Sequence, residues 1–199
     1  MNPRLRFLGF FLLIFAGCMA PGVPVVPNDA SKWTIEVTSS DPKPTGPIRI
    51  FDEQNRLMLD GSLVAGQMDG TWTGWSSQKD RLVIWTYRAG VRNGPIQMWY
   101  GRFAIPEAAG RLKLEGAFLD GKYDGAVTRN HPSGARRSVR IYKNGTIESA
   151  RCWAPDGTEQ TPAFTADVAA EEHKADMLYL EQLEGIVTRS LAQAHRRNP

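Results

Sequence analysis

Arg136, Ser138, Arg140 and Tyr142 stand at every second position of one short segment, with Arg137 and Lys143 beside them. In an extended strand, residues two apart share a face, so this pattern gathers guanidinium and hydroxyl donors on one surface. Such a surface suits an anionic group, a phosphate or a sugar carboxylate, because hydrogen bonds between charged partners are the strong ones. The same pattern also describes a solvated strand face, and that plainer reading is preferred. A second concentration of chemistry is aromatic: Trp72, Trp75, Trp85, Trp99 and Tyr100. An aromatic row on a sheet can stack sugars or grip a partner. Trp72 and Trp85 are expected in the core, which leaves Trp75 and Trp99 with Arg136, Arg140 and Tyr142 as the candidate ligand contacts.

The remaining polar residues do not assemble into a reaction centre. The histidines are His131, His173 and His195, and no two have a metal-ligand spacing such as H-E-x-x-H. Glu171-Glu172-His173 is expected on a helix, where adjacent residues point apart, and is read as a solvated face. His131-Pro132-Ser133-Gly134 reads as a turn. Asp52 and Glu53 are neighbours, which on a strand face opposite sides. There is no G-x-S-x-G nucleophile motif and no phosphate-cradling glycine loop. Cys152 lies in an apolar-leaning stretch and is expected to pack as a small hydrophobe. Neither catalysis, metal nor cofactor is expected.

The amino terminus carries a different signal. Arg4 and Arg6 precede an apolar run from Phe7 to Phe15, too short to span a bilayer, which takes about 20 helical residues. Pro21, Pro24 and Pro27 then forbid a continuing helix. Phe15-Ala16-Gly17-Cys18 resembles the lipobox of bacterial lipoproteins, with Phe15 where that family usually has Leu. The resemblance implies that residues 1–17 are a removable signal peptide, that the Cys18 thiol receives a diacylglyceryl group, and that its amine is acylated, typically with palmitate. Two or three acyl chains anchor stably, at about 0.8 kcal/mol per buried methylene. Met19, where Asp would retain a lipoprotein at the inner membrane, implies the outer membrane of a Gram-negative cell, facing the periplasm. Removal of the leader leaves 182 of 199 residues and takes Arg4 and Arg6 from a net charge of +3. The mature part is therefore nearly neutral, and no nucleic-acid partner is expected. With Cys18 lipidated, Cys152 has no cysteine to form an internal disulfide with, and the fold must rest on packing.

Residues 48–157 repeat. Leu63, Tyr87, Phe118 and Tyr142 are each followed three residues later by glycine, then by Asp69-Gly70, Asn93-Gly94, Asp124-Gly125 and Glu148-Ser149. The spacings of 24, 31 and 24 residues are those of repeat architectures. Asp-Gly and Asn-Gly suit type I′ hairpin turns, so those dipeptides are expected at the hairpin tips. The longer spacing contains residues 105–110, read as an inserted loop, and residues 41–47 are read as a break in regular structure. The pattern resembles the MORN-variant repeat of bacterial proteins labelled antitoxin-like. Pro95 and Ser149 depart from it and mark their units as edge or capping repeats.

The expected fold is mainly β, with stacked antiparallel hairpin repeats in a single elongated sheet plus a C-terminal amphipathic α-helix. Met177, Leu180, Leu183, Val187, Leu191 and Ala194 form the helix stripe, with Thr165 or Asp167 as its cap. The stripe is expected to pack on the sheet, a reading preferred to that of a partner-binding or self-associating helix. The chain divides into residues 1–17 (signal peptide), 18–31 (lipidated cysteine and tether), 32–162 (repeat domain) and 163–199 (helix and tail). The expected function is that of a membrane-anchored envelope protein binding a protein partner, with an envelope glycan or anionic lipid as the alternative ligand.

Overall fold

A computed structural model describes residues 32–37, 41 and 43–197; the expected signal peptide, Cys18 and the expected tether lie outside them. The elements are β1 (Thr34–Val37), β2 (Gly46–Phe51), β3 (Leu57–Val64), β4 (Gln67–Trp75), β5 (Arg81–Arg88), β6 (Val91–Trp99), a 3-10 turn (Pro106–Ala108), β7 (Leu112–Leu119), β8 (Lys122–Tyr123), β9 (Gly125–Asn130), β10 (Arg136–Lys143), β11 (Thr146–Cys152) and α1 (Pro162–Arg197). All strand pairs are antiparallel and neighbours follow chain order, with β8 pairing β7 just ahead of β9. The described residues thus form one open meander sheet crossed by one helix. Ten strand positions span about 43 Å at roughly 4.8 Å per strand. The 36 residues of α1 run about 54 Å at 1.5 Å each, and the helix touches both β1 and β11, the two outermost strands.

The repeat glycines do two different jobs. Both central residues of a type I′ turn need positive φ, and here those residues are Ala65-Gly66, Ala89-Gly90, Asp120-Gly121 and Asn144-Gly145. Of the dipeptides expected at the hairpin tips, Asp69-Gly70 and Asn93-Gly94 are instead inside the returning strands β4 and β6, and Asp124-Gly125 stands at the break between β8 and β9. There they form irregularities in which the returning strand carries extra residues. Their side chains serve the neighbouring hairpin. Asp69 Oδ2 accepts the Ala89 amide at 2.8 Å, and Asp124 Oδ2 accepts that of Asn144 at 3.1 Å. The preceding carbonyls of Met68, Arg92 and Tyr123 accept the amides of Gly90, Gly121 and Gly145 at 2.8–2.9 Å. Each turn is therefore tied to the one before it, which is how stacked units share stability.

The same bonds reveal a further unit. Thr45 Oγ1 accepts the Ala65 amide and the Pro44 carbonyl accepts that of Gly66, both at 2.9 Å. Thr45-Gly46-Pro47-Ile48 is thus the counterpart of Asn93-Gly94-Pro95-Ile96, and residues 44–47 open the repeat array. Pro95 lies in β6, near the middle of the sheet, because the bulge there asks no ladder hydrogen bond of it; Ser149 lies on the edge strand β11. The helix begins earlier than its stripe indicates. Thr161 is the cap, its Oγ1 accepting the Phe164 amide at 3.5 Å, and Pro162 occupies the first turn, where a missing N–H costs nothing. Thr165 is buried.

The core lies between sheet and helix, and close approach there requires glycine. A Cβ at Gly61 would occupy the place of the Trp72 indole, whereas one at Gly70 would meet nothing within 4 Å. Gly61→Ala is expected to lower unfolding free energy by about 2–3 kcal/mol through overpacking, and Gly70→Ala by about 1 kcal/mol through its positive φ. Urea denaturation of both variants checks the order.

Candidate functional site

Equivalent positions of successive units stack into columns on the inner face. One column reads Leu63, Tyr87, Phe118, Tyr142; another reads Ile48, Trp72, Ile96, Val127; all are buried. Two further columns change character at the last unit. Ile50, Gly74 and Met98 are succeeded by Arg129, and Leu59, Val83 and Leu114 by Ser138, while Arg140 takes the place equivalent to Trp85. The apolar inner face ends in three buried arginines, Arg129, Arg137 and Arg140.

The helix is divided in the same way. Leu180, Leu183, Ile186 and Val187 cover the apolar columns, with a Leu183 methyl packed beside Gly74. One and two turns earlier, Asp176 and Glu172 meet the arginines. Arg137 Nε donates to Glu172 Oε1 at 2.6 Å, and Arg129 Nε lies 3.3 Å from Glu172 Oε2. Arg140 also pairs with Glu172, and Arg129 with Asp176. Arg140 is 1% exposed and Glu172 2%, so these charges are out of water. Burial opposes the charge of Arg129, but Asp176 outweighs it and raises the pKa; Arg140 is lowered by burial and by Arg129. Lys113, beside the cluster, is pulled down to about 8 by burial and by Arg129 and Arg137, against Asp176. Farther along the helix, Glu184 accepts bonds from Arg92 Nε at 2.6 Å and from the Tyr87 hydroxyl. Burial and Glu184 raise the Tyr87 pKa.

The candidate contacts read from the sequence fall on different surfaces. Ser138, Arg140 and Tyr142 do share a face, but it is the inner one, and the anion held there is the protein's own Glu172. Arg136 is exposed at the start of β10. Trp75 and Trp99 are half-buried on the uncovered face. Glu171-Glu172-His173 is not a solvated face, because only Glu171 is exposed. The His173 ring packs 5.6 Å from Tyr142 and 5.7 Å from Tyr123, in a stack continued by Phe118. Its pKa is lowered, chiefly by burial. Asp52 closes the turn after β2, accepting from the Gln54 and Arg56 amides at 3.0 and 2.9 Å. Burial would raise its pKa, but Arg56 overcomes that and lowers it. His131 Nε2 lies 2.8 Å from the Trp153 carbonyl, and Cys152 is buried. Among the described residues, no group of three His, Cys, Asp or Glu is placed to hold a metal ion.

The partners missed in the sequence were Glu172, Asp176 and Glu184. Their signal was present: with Leu180, Leu183 and Val187 they follow the three- and four-residue steps of one helix face, a stripe drawn there from apolar residues alone. The chain matches no protein-family model and no curated protein.

Removing one member of a buried ion pair leaves a charge uncompensated, which costs about 3–5 kcal/mol. Glu172→Gln is therefore expected to destabilise strongly and the exposed neighbour Glu171→Gln hardly at all, as read by thermal unfolding. The depressed Lys113 pKa gives a pH signature. Below about 8 the lysine is charged in both states. Between there and the unfolded value of 10.5 the unfolded chain binds more protons, so stability rises with pH. Up to about pH 10, where tyrosines begin to titrate, that rise is expected in the wild type and absent in Lys113→Met.

Proposed function

We propose that this protein is an envelope lipoprotein, held through Cys18 on the periplasmic side of the outer membrane, that acts without catalysis as a protein-interaction module built from MORN-like repeats. The observation that carries the reading is the asymmetry of the sheet. The helix covers one face from edge to edge, and none of the described residues covers the other. Across that face runs one residue per strand, from Asp60 through Thr73, Ile84, Gln97, Glu115 and Thr128 to Val139, each the register partner of the next. Five of its seven side chains are polar or charged and two, Ile84 and Val139, are apolar, the mixed composition of surfaces that bind other proteins without obligate assembly. Among the hairpin turns, Val64, Val91 and Leu119 are 50%, 44% and 52% exposed, adding an apolar rim. The anchor rests on the leader and the Phe15-Ala16-Gly17-Cys18 motif. Among the described residues no helix is long and apolar enough to cross a membrane, so attachment through described segments would need another device.

Two experiments separate these parts. A photo-crosslinking residue in place of Ile84 or Gln97 is expected to capture a discrete protein in the native envelope, and one in place of Lys174, on the solvent side of the helix, is not. Capture from Lys174 alone overturns the assignment of the face. Cys18→Ala is expected to abolish incorporation of labelled palmitate and to release the protein from the membrane fraction. Unchanged size and fractionation would remove the anchor from the account.

A further inference from the structure

The buried cluster at the end of the sheet is one negative charge short. Arg129, Arg137 and Arg140 meet Glu172 and Asp176, and none of the five is more than 6% exposed. Three guanidinium groups against two carboxylates leave one positive charge in excess. The neighbouring titratable groups do not supply the difference. Burial raises the pKa values of Tyr100, Tyr123 and Tyr142, so their hydroxyls stay protonated, and it lowers that of His173, which stays neutral. Lys113, beside the cluster, adds to the excess whenever it is charged. A buried charge without a counter-charge is strongly unfavourable.

The guanidinium hydrogens are short of acceptors as well. Arg137 Nη2, Arg140 Nε and Arg140 Nη1 are out of water and have no hydrogen-bond partner among the described residues. Both arginines hold the same carboxylate, Glu172, so their guanidinium groups are neighbours. Ser138 lies with them. An irregularity of pairing between Arg136 and Ser138 lets two consecutive residues, Arg137 and Ser138, both turn out of water. Ser138 Oγ accepts from Arg140 Nη2 at 3.3 Å, which leaves the hydroxyl hydrogen to donate. Ser138 is smaller than Leu59, Val83 and Leu114, its counterparts in the other units, so the last unit has room at this point that a close-packed interior must fill. Water would accept these hydrogens, but only an anion would also cancel the charge. We infer that α1 and the last two units enclose a site for one small monovalent anion of the chloride class, held by Arg137 Nη2, Arg140 Nε and Nη1 and the Ser138 hydroxyl. A dianionic phosphate would exceed the single surplus charge. Bound there, the anion joins the ion pairs that fix α1 to the sheet.

The inference stands apart from the envelope reading, and its test uses the whole chain. Unfolding by urea is followed with chloride replaced by gluconate at constant ionic strength. A ligand that only the folded chain binds stabilises by RT ln(1 + [L]/Kd), so raising chloride from about 1 to about 100 mM is expected to lower the unfolding constant by about tenfold or more. Ser138→Asp places a built-in carboxylate beside Arg140 and is expected to cancel that dependence. Crystals grown in bromide, which replaces chloride and scatters anomalously, are expected to show one bromide ion beside Arg137 and Arg140. The bromide measurement needs no variant, so it decides the matter if Ser138→Asp does not fold. Equal stability in chloride and gluconate, or no bromide in the cluster, overturns the inference and assigns the free donors to water. A chloride effect undiminished in Ser138→Asp places the ion elsewhere and overturns it too. So does stabilisation by phosphate with none by chloride.

Discussion

Three guanidinium groups at the end of an otherwise apolar sheet face must find carboxylates, because an unpaired charge out of water costs several kcal/mol. Glu172 and Asp176 supply them. Much of the remaining arrangement depends on that match. A slip of α1 by one turn, about 5.4 Å, would carry the carboxylates toward Leu114, Met98 and Trp85 and set leucines against Arg129 and Arg140. Hydrophobic burial alone would accept many placements of an amphipathic helix on a broad apolar face, since it has no direction. The ionic end gives the helix its polarity and register, and Glu184 with Arg92 and Tyr87 repeats the device farther along. This is the use of buried charge for specificity rather than net stability, and here it keeps a single helix aligned across ten strand positions.

The repeat sheet depends on the helix in turn. A lone hairpin is marginal in water, and tying each turn to the last through Asp69, Asp124 and Thr45 makes a row of hairpins without making a second layer. The tryptophans that fill the inner face, Trp72 and Trp85, lie 6.4 Å apart and would be wet on one side without α1. The helix is therefore the second layer on which burial of the core depends. The consequence is a division of labour between faces: one is committed to the fold, and the other is left uncovered by the described residues.

Much of this was legible in the sequence. Strand alternation, the spacing of Leu63, Tyr87, Phe118 and Tyr142, and the helical period after Pro162 led directly to one antiparallel sheet with a terminal helix. Less legible was what each glycine does. Ala65-Gly66 has a poorer turn signature than Asp69-Gly70, yet it is the tip, because the aspartate is more useful accepting the next turn's amide than sitting in a turn of its own. Propensity cannot report a bond to a residue 20 positions away. The first unit was hidden by Pro42, Pro44 and Pro47, which read as breakers, although Thr45-Gly46-Pro47-Ile48 nearly duplicates Asn93-Gly94-Pro95-Ile96. The basic face of β10 was visible as a pattern, but its anion, Glu172, was read as part of a solvated face. Their meeting was not visible, since nothing local in either segment says which face the helix covers.

The central claim is that helix and sheet are one cooperative unit joined at Glu172, Asp176 and the three arginines. Native-state hydrogen exchange in rising denaturant tests it most directly. If the claim is right, amides of α1 from Glu172 to Ser190 and those of β4, β5 and β6 exchange through the same global opening, with one free energy and one denaturant dependence. If the helix amides exchange through a much smaller opening while the sheet stays protected, the helix is only a loosely attached cover, and the account is wrong.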